Sequence, residues 1–240
     1  MLLDPRLHLG LLLVLLMPAD EPSIVLRDDV DHSESIAAAR EYPGLAHLDF
    51  ITPRGFREGE ATLIDPVWLL TAAHVTGRLV PGHEISVGDE TVPVAEVVPH
   101  PDWTGGPGGG PDIALVRLRT PIRGVAPVPL YRDRDETGRP IVLVGLGDFG
   151  TGLTGAVDND GEVRLATNIV DSVDPDWIIF DFDPPSSSEA TPFEGVAGPG
   201  DSGGPAFIEV DGVPHVAGVS SRQSRGSASG PGRSGGAGPP

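Results

Sequence analysis

The chain has 240 residues and a net charge of −19, from 35 acidic and 16 basic side chains. That balance argues against binding to nucleic-acid phosphates or an anionic membrane face, and the absence of cysteine removes disulfides, thiolate nucleophiles and cysteine-based zinc sites together. Hydrophobic residues make up 39%, enough for a globular core, while 33 glycines and 26 prolines favour many short strands over long helices.

Residues 1–19, "MLLDPRLHLGLLLVLLMPA", combine Arg6, an apolar run from Leu7 to Met17 and the small residue Ala19, the layout of a secretory signal peptide. The apolar run is too short to span a bilayer comfortably. A secreted or periplasmic chain is therefore expected, with no stable membrane association once the leader is removed. Next, "DDVDHSESIAAAREY" allows one or two helical turns before Pro43-Gly44. Beyond it come short apolar runs cut by turn residues, among them "EATLI", "VWLLTAAHV", "DIALVRL", "IVLVGLG" and "PAFIEV". At least ten candidate strands with little helical periodicity predict an all-β barrel or sandwich. Hairpin turns are expected at Asp211-Gly212 and around Asp158 to Gly161, and the glycine loop at 104–111 must be flexible or tightly turned. Over 223–240 the composition is dominated by Gly, Ser and Pro and predicts a disordered tail.

Three positions carry chemistry. Ser202 lies within "GPGDSGGPA", where only small residues flank Asp201 and the hydroxyl. A serine hydroxyl is a poor nucleophile at neutral pH and needs an imidazole to take its proton and a carboxylate to orient that imidazole. His74 closes the apolar stretch "VWLLTAAH", where Ala72 and Ala73 permit close backbone packing. Asp112 opens "DIALVRL", and an ionised carboxylate beside a buried strand needs a hydrogen-bonded partner. The acids near Asp158 to Gly161 lack the spacing of a calcium loop, and Asp28, Asp29, Asp31 and Glu34 read as a solvated segment. No metal and no cofactor is expected.

"LTAAH", "DIALVRL" and "GDSGGP", in that order, resemble the chymotrypsin-like serine proteases, and the order His, Asp, Ser separates that fold from other serine hydrolases. The resemblance covers roughly residues 43–222. It implies two six-stranded antiparallel Greek-key β-barrels over 20–222, with a second barrel that can be incomplete at its C-terminus. It also implies a serine endopeptidase acting on proteins or peptides through an acyl-enzyme, with His74 as base, Asp112 as its orienter and Ser202 as nucleophile. By the same resemblance the N–H groups of Gly200 and Ser202 form an oxyanion hole, Val196 lies at the base of the substrate pocket, and Ser221 hydrogen-bonds the catalytic carboxylate. Asp201 would pair with a freshly cut N-terminal amine, for which Ile24 is the candidate. The leader and the lack of cysteine fit an exported bacterial member.

Two departures stand out. No acid occupies position 196, which disfavours a strong preference for Arg or Lys. After "GVSSRQ" the chain runs straight into the Gly/Ser/Pro tail, where the family has a further pocket strand, a barrel strand and a helix. A missing pocket wall would make the chain a non-catalytic binding module, or a truncated product, on the same scaffold.

Overall fold

A computed structural model describes residues 24–42, 44–48, 59–106, 109–224 and 233–237; the leader expected over 1–19 lies outside them. The described chain opens with β1 (Val25–Leu26) and one helix, α1 (His32–Ala39). Asp31 caps α1 by accepting from the Ser33 N–H at 2.7 Å, and the alanine-rich body suits a helix. The buried Ser35 hydroxyl donates to the Leu165 carbonyl at 2.7 Å and accepts from its N–H at 3.1 Å, which fixes the helix against the later sheet.

The first barrel consists of β2 (Leu45–His47), β3 (Glu60–Asp65), β4 (Trp68–Thr71), β5 (Glu84–Val87), β6 (Glu90–Pro99) and β7 (Ala114–Leu118). It closes in the order β2-β3-β4-β7-β6-β5, with Ala46 paired to Val87 at the seam. Alternation shows in β7, where Ala114, Val116 and Leu118 are buried and Arg117 faces out. Leu63, Leu69 and Ile85 join them inside, each burial worth about 1.5–3 kcal/mol.

The second half comprises β8 (Pro140–Gly145), β9 (Phe149–Thr151), β10 (Gly155–Asp158), β11 (Arg164–Ile169), β12 (Ser172–Asp174), β13 (Trp177–Asp181), β14 (Gly195–Val196), β15 (Pro205–Val210), β16 (Val213–Ser224) and β17 (Arg233–Ala237). Seven of these form one antiparallel sheet, β11-β8-β15-β16-β17-β13-β12; a smaller sheet runs β10-β9-β1-β14. The result is the all-β class with a closed six-stranded barrel that the sequence led us to expect. Phe207 and Val219 of the second sheet share a continuous apolar cluster with the first barrel, and Tyr42 stacks on Phe207. The two halves therefore meet across a packed core.

Two expectations need correction. The Asp211-Gly212 hairpin forms, both residues taking positive φ, but Asp158 to Gly161 does not join two paired strands, because β10 pairs with β9 and β11 with β8. There Asp160 is drawn to Arg164 by a bidentate contact at 2.8 and 2.6 Å, which holds its carboxyl down at about 2. The tail is not wholly disordered, since Arg233–Ala237 pairs with β16 on one side and β13 on the other. Composition argued against burial of side chains, but a strand between two others is held by its backbone hydrogen bonds.

Ending the chain at Ser224 would leave facing edges of β16 and β13 unpaired. We expect the thermal midpoint to fall by at least about 5 °C, read by circular dichroism. A melting curve identical to that of the full chain would show that β17 adds nothing to the folded sheet.

Candidate active site

The antiparallel pairing of β4 with β7 places Thr71 opposite Ala114. The end of one strand therefore lies beside the start of the other, and His74 and Asp112, three residues past Thr71 and two before Ala114, are brought together. His74 sits in the first turn of a short 3-10 helix, Ala73–Arg78, which Thr76 braces by donating to the Ala73 carbonyl at 2.7 Å. Ala72 and Ala73 are fully buried, and their small size lets the backbone turn directly over the core.

Asp112 is fully buried and accepts three hydrogen bonds. Its Oδ1 accepts from the His74 backbone N–H at 2.8 Å, and its Oδ2 accepts from His74 Nδ1 at 2.6 Å and from Ser221 Oγ at 2.5 Å. Burial pushes this carboxyl up, but the side-chain hydrogen bonds of His74 and Ser221, with the His74 charge and backbone, outweigh it and hold the group below the usual carboxylate value. With Nδ1 bound to Asp112, a neutral His74 keeps Nε2 as its acceptor nitrogen.

The turn around Ser202 is fixed at every peptide. Asp201 N–H donates to the Gly198 carbonyl at 3.1 Å, Gly204 N–H to Asp201 at 2.8 Å, and Gly203 N–H to Ser220 of β16 at 2.7 Å. The Ser202 carbonyl accepts from Glu60 N–H of β3 at 2.7 Å, so the turn is sewn to the first barrel. Gly203 has φ +83°, and a Cβ there would fall 2.2 Å from Thr71 Oγ1 and 2.3 Å from the Glu60 carbonyl. Gly200, at φ +91°, approaches the Cα of Gly147 in the same way. Among the described residues, the N–H groups of Gly200 and Ser202 make no hydrogen bond.

Asp201 points inward, 1% exposed, and accepts from Gly147 N–H at 2.9 Å and Gly198 N–H at 3.0 Å. The fully buried Ile24 leads into β1, which lies between the same two segments: Val25 pairs with Gly150 of β9 and Val196 of β14. Val196 is thus buried against Val25. His100 accepts from Asp102 N–H, and the His215 ring lies 2.9 Å from the Val213 carbonyl, both away from the Asp112 contacts. Glu60 escaped the sequence reading. Buried at 2% exposure, it accepts from Leu146 N–H at 2.5 Å and holds the Ser202 turn through its backbone, yet at the head of "EATLI" it looks like any strand-end acid.

The family model for trypsin matches residues 55–235. The chain belongs to the trypsin family. As a family of peptidases it implies hydrolase chemistry on protein substrates, and the match runs beyond "GVSSRQ" into β17. Among the described residues, no helix is long and apolar enough to cross a membrane, and no group of three or more His, Asp or Glu side chains is placed to hold a metal ion.

Gly203→Ala should cost at least about 2 kcal/mol in urea unfolding, since the new methyl meets both a positive φ and the β3 and β4 backbone. Asp112 predicts a pH dependence. Its folded value is depressed, so its contribution is complete above the ordinary carboxylate range and is lost as pH falls through the lowered folded value. Stability of the unmutated chain should therefore rise more steeply between pH 2 and 5 than that of Asp112→Asn; parallel curves would refute the assignment.

Proposed function

We propose that this member of the trypsin family is an exported serine endopeptidase working through Ser202, His74 and Asp112. The observation that carries the reading is the double hold of Asp112 on His74, through Nδ1 and the backbone N–H, which leaves Nε2 as the base. Ser202 Oγ attacks the substrate carbonyl while His74 Nε2 takes its proton. The imidazolium formed is stabilised by Asp112 and returns the proton to the leaving amine. A water activated by the same nitrogen then hydrolyses the acyl-enzyme.

The N–H groups of Gly200 and Ser202, which make no hydrogen bond among the described residues, are assigned to the oxyanion, each worth about 3 kcal/mol in the transition state. Val196 and Ser221 belong to the substrate pocket and its wall. With the apolar Val196 at the pocket base, a modest apolar substrate side chain fits better than Arg or Lys. The alternative of a non-catalytic module rested on a missing wall; β17, paired along β16 from Val219 to Ser224, supports the enzyme.

Activation is assigned to the segment starting at Ile24. Its insertion between β9 and β14, whose flanking amides bind Asp201, supports a mature N-terminus at Ile24 whose amine pairs with Asp201. Mass spectrometry of the exported protein tests this directly: an N-terminus other than Ile24 would refute it.

For the chemistry, the mature protein should be labelled by a fluorophosphonate probe. Ser202→Ala should abolish labelling without altering the melting curve, and Asp112→Asn should lower peptidase turnover about 10⁴-fold, the scale known for serine proteases of this fold. Absence of labelling in the unmutated mature protein would overturn the peptidase reading.

A further inference from the structure

In the second sheet, Arg222 of β16, Gly235 of β17 and Ile179 of β13 form one row of directly paired residues. Direct partners share a face of a sheet, and Trp177, two residues from Ile179, shares it too. Because Gly235 carries no side chain, the row leaves a path across β17. The Arg222 guanidinium carbon lies over the Trp177 ring, 4.4 Å from its centroid. A cation over an aromatic face is attracted by the ring while its N–H groups stay available to a ligand.

Among the described residues those N–H groups have no partner. Arg164 gives its guanidinium to Asp160 and Arg139 to Asp135, whereas the Arg222 guanidinium makes no hydrogen bond and no ion pair among the described residues. Arg222 is exposed, while Trp177 beneath it is 9% exposed. The strand that carries Arg222 also runs past the reacting groups, while the guanidinium itself reaches over β17 to β13. Ser221 binds Asp112, and Ser220 exchanges hydrogen bonds with Gly203 and Gly204 next to Ser202. Arg222 is two strand residues beyond Ser220, about 7 Å. β15 pairs with β16 up to Val219, and Gly203 and Gly204 continue that edge at Ser220.

The chain as a whole repels acidic ligands, at −19. At physiological salt, charges more than about 8 Å away are largely screened, so a cation in direct contact decides the local preference. We propose that Arg222, held over the Trp177 ring, is a specificity-determining subsite that selects peptides with an Asp or Glu side chain within four residues of the scissile bond. A planar guanidinium and a carboxylate can pair through two parallel N–H···O bonds. The subsite rests on the peptidase reading for its role, but its binding is measurable without turnover.

The test uses the mature protein carrying Ser202→Ala, titrated with fluorescent octapeptides of a neutral frame in which one Gln at a time is replaced by Glu. At one position or more, the Glu peptide should bind about five- to tenfold tighter than its Gln counterpart, and the ratio should shrink as salt is raised. Arg222→Gln should remove the preference and Arg222→Glu reverse it, with melting curves verifying the fold. Arg222→Lys, which keeps charge but loses the planar stack, should retain a smaller preference. Equal binding of Glu and Gln peptides, no binding by any peptide, or a preference that survives Arg222→Gln would overturn the proposal. Fluorophosphonate labelling of the unmutated protein separates the two readings. Labelling without Glu preference removes the subsite alone, and Glu preference without labelling removes the peptidase alone.

Discussion

The buried carboxylate of Asp112 is the constraint on which the site depends. An ionised group with no solvent contact is tolerable only when hydrogen-bonded, and here the donors come from two different halves of the molecule. His74 reaches it because β4 and β7 are antiparallel and in register at Thr71 and Ala114. Ser221 reaches it because the ladder between β16 and β17 shifts register between Ser220 and Arg222. Such a bulge bends the strand and re-aims a side chain. The charge thus fixes the imidazole and couples the first barrel to the second sheet at one atom, Oδ2.

The turn around Ser202 is attached to the same two halves by backbone hydrogen bonds and by the Asp201 carboxylate. Ser202 is held on one side by Glu60 of β3 and, through Gly203, on the other by Ser220 of β16. Gly203 therefore answers to sterics rather than flexibility: the strands it touches would occupy its side chain. The turn is rigid because its peptides are committed to neighbours, with the N–H groups of Gly200 and Ser202 left over. Pre-orientation of that kind is what a transition state rewards, since no reorganisation is needed when charge develops.

Much of this was legible in the sequence. The core strands announced themselves by short apolar runs, and the pairing of His74 with Asp112 by ordered motifs whose residue types fit one chemistry. The runs that escaped notice are those with little apolar signal: β9 and β10 are rich in glycine and polar residues, β14 has two residues, and β17 is "RSGGA". Their strand character comes from pairing with neighbours already in place, which no local pattern reports. Glu60 and Trp177 were missed for a related reason. Each looks ordinary in its own strand and acquires a role only from what the fold lays beside it.

β17 carries that point furthest. Glycine weakens a strand interior by adding chain entropy and removing side-chain contacts, so its presence between β16 and β13 calls for a compensating use. Flanked on both sides, β17 has its peptide groups hydrogen-bonded irrespective of side chains. The bare backbone at Gly235 then lets a long side chain from β16 cross to an aromatic ring on β13, about 10 Å away as strands are spaced. A β-branched residue at 235 would favour the strand intrinsically but stand between Arg222 and Trp177. The low-complexity composition that argued for disorder is, at this position, what permits the Arg222 cation to reach the Trp177 ring.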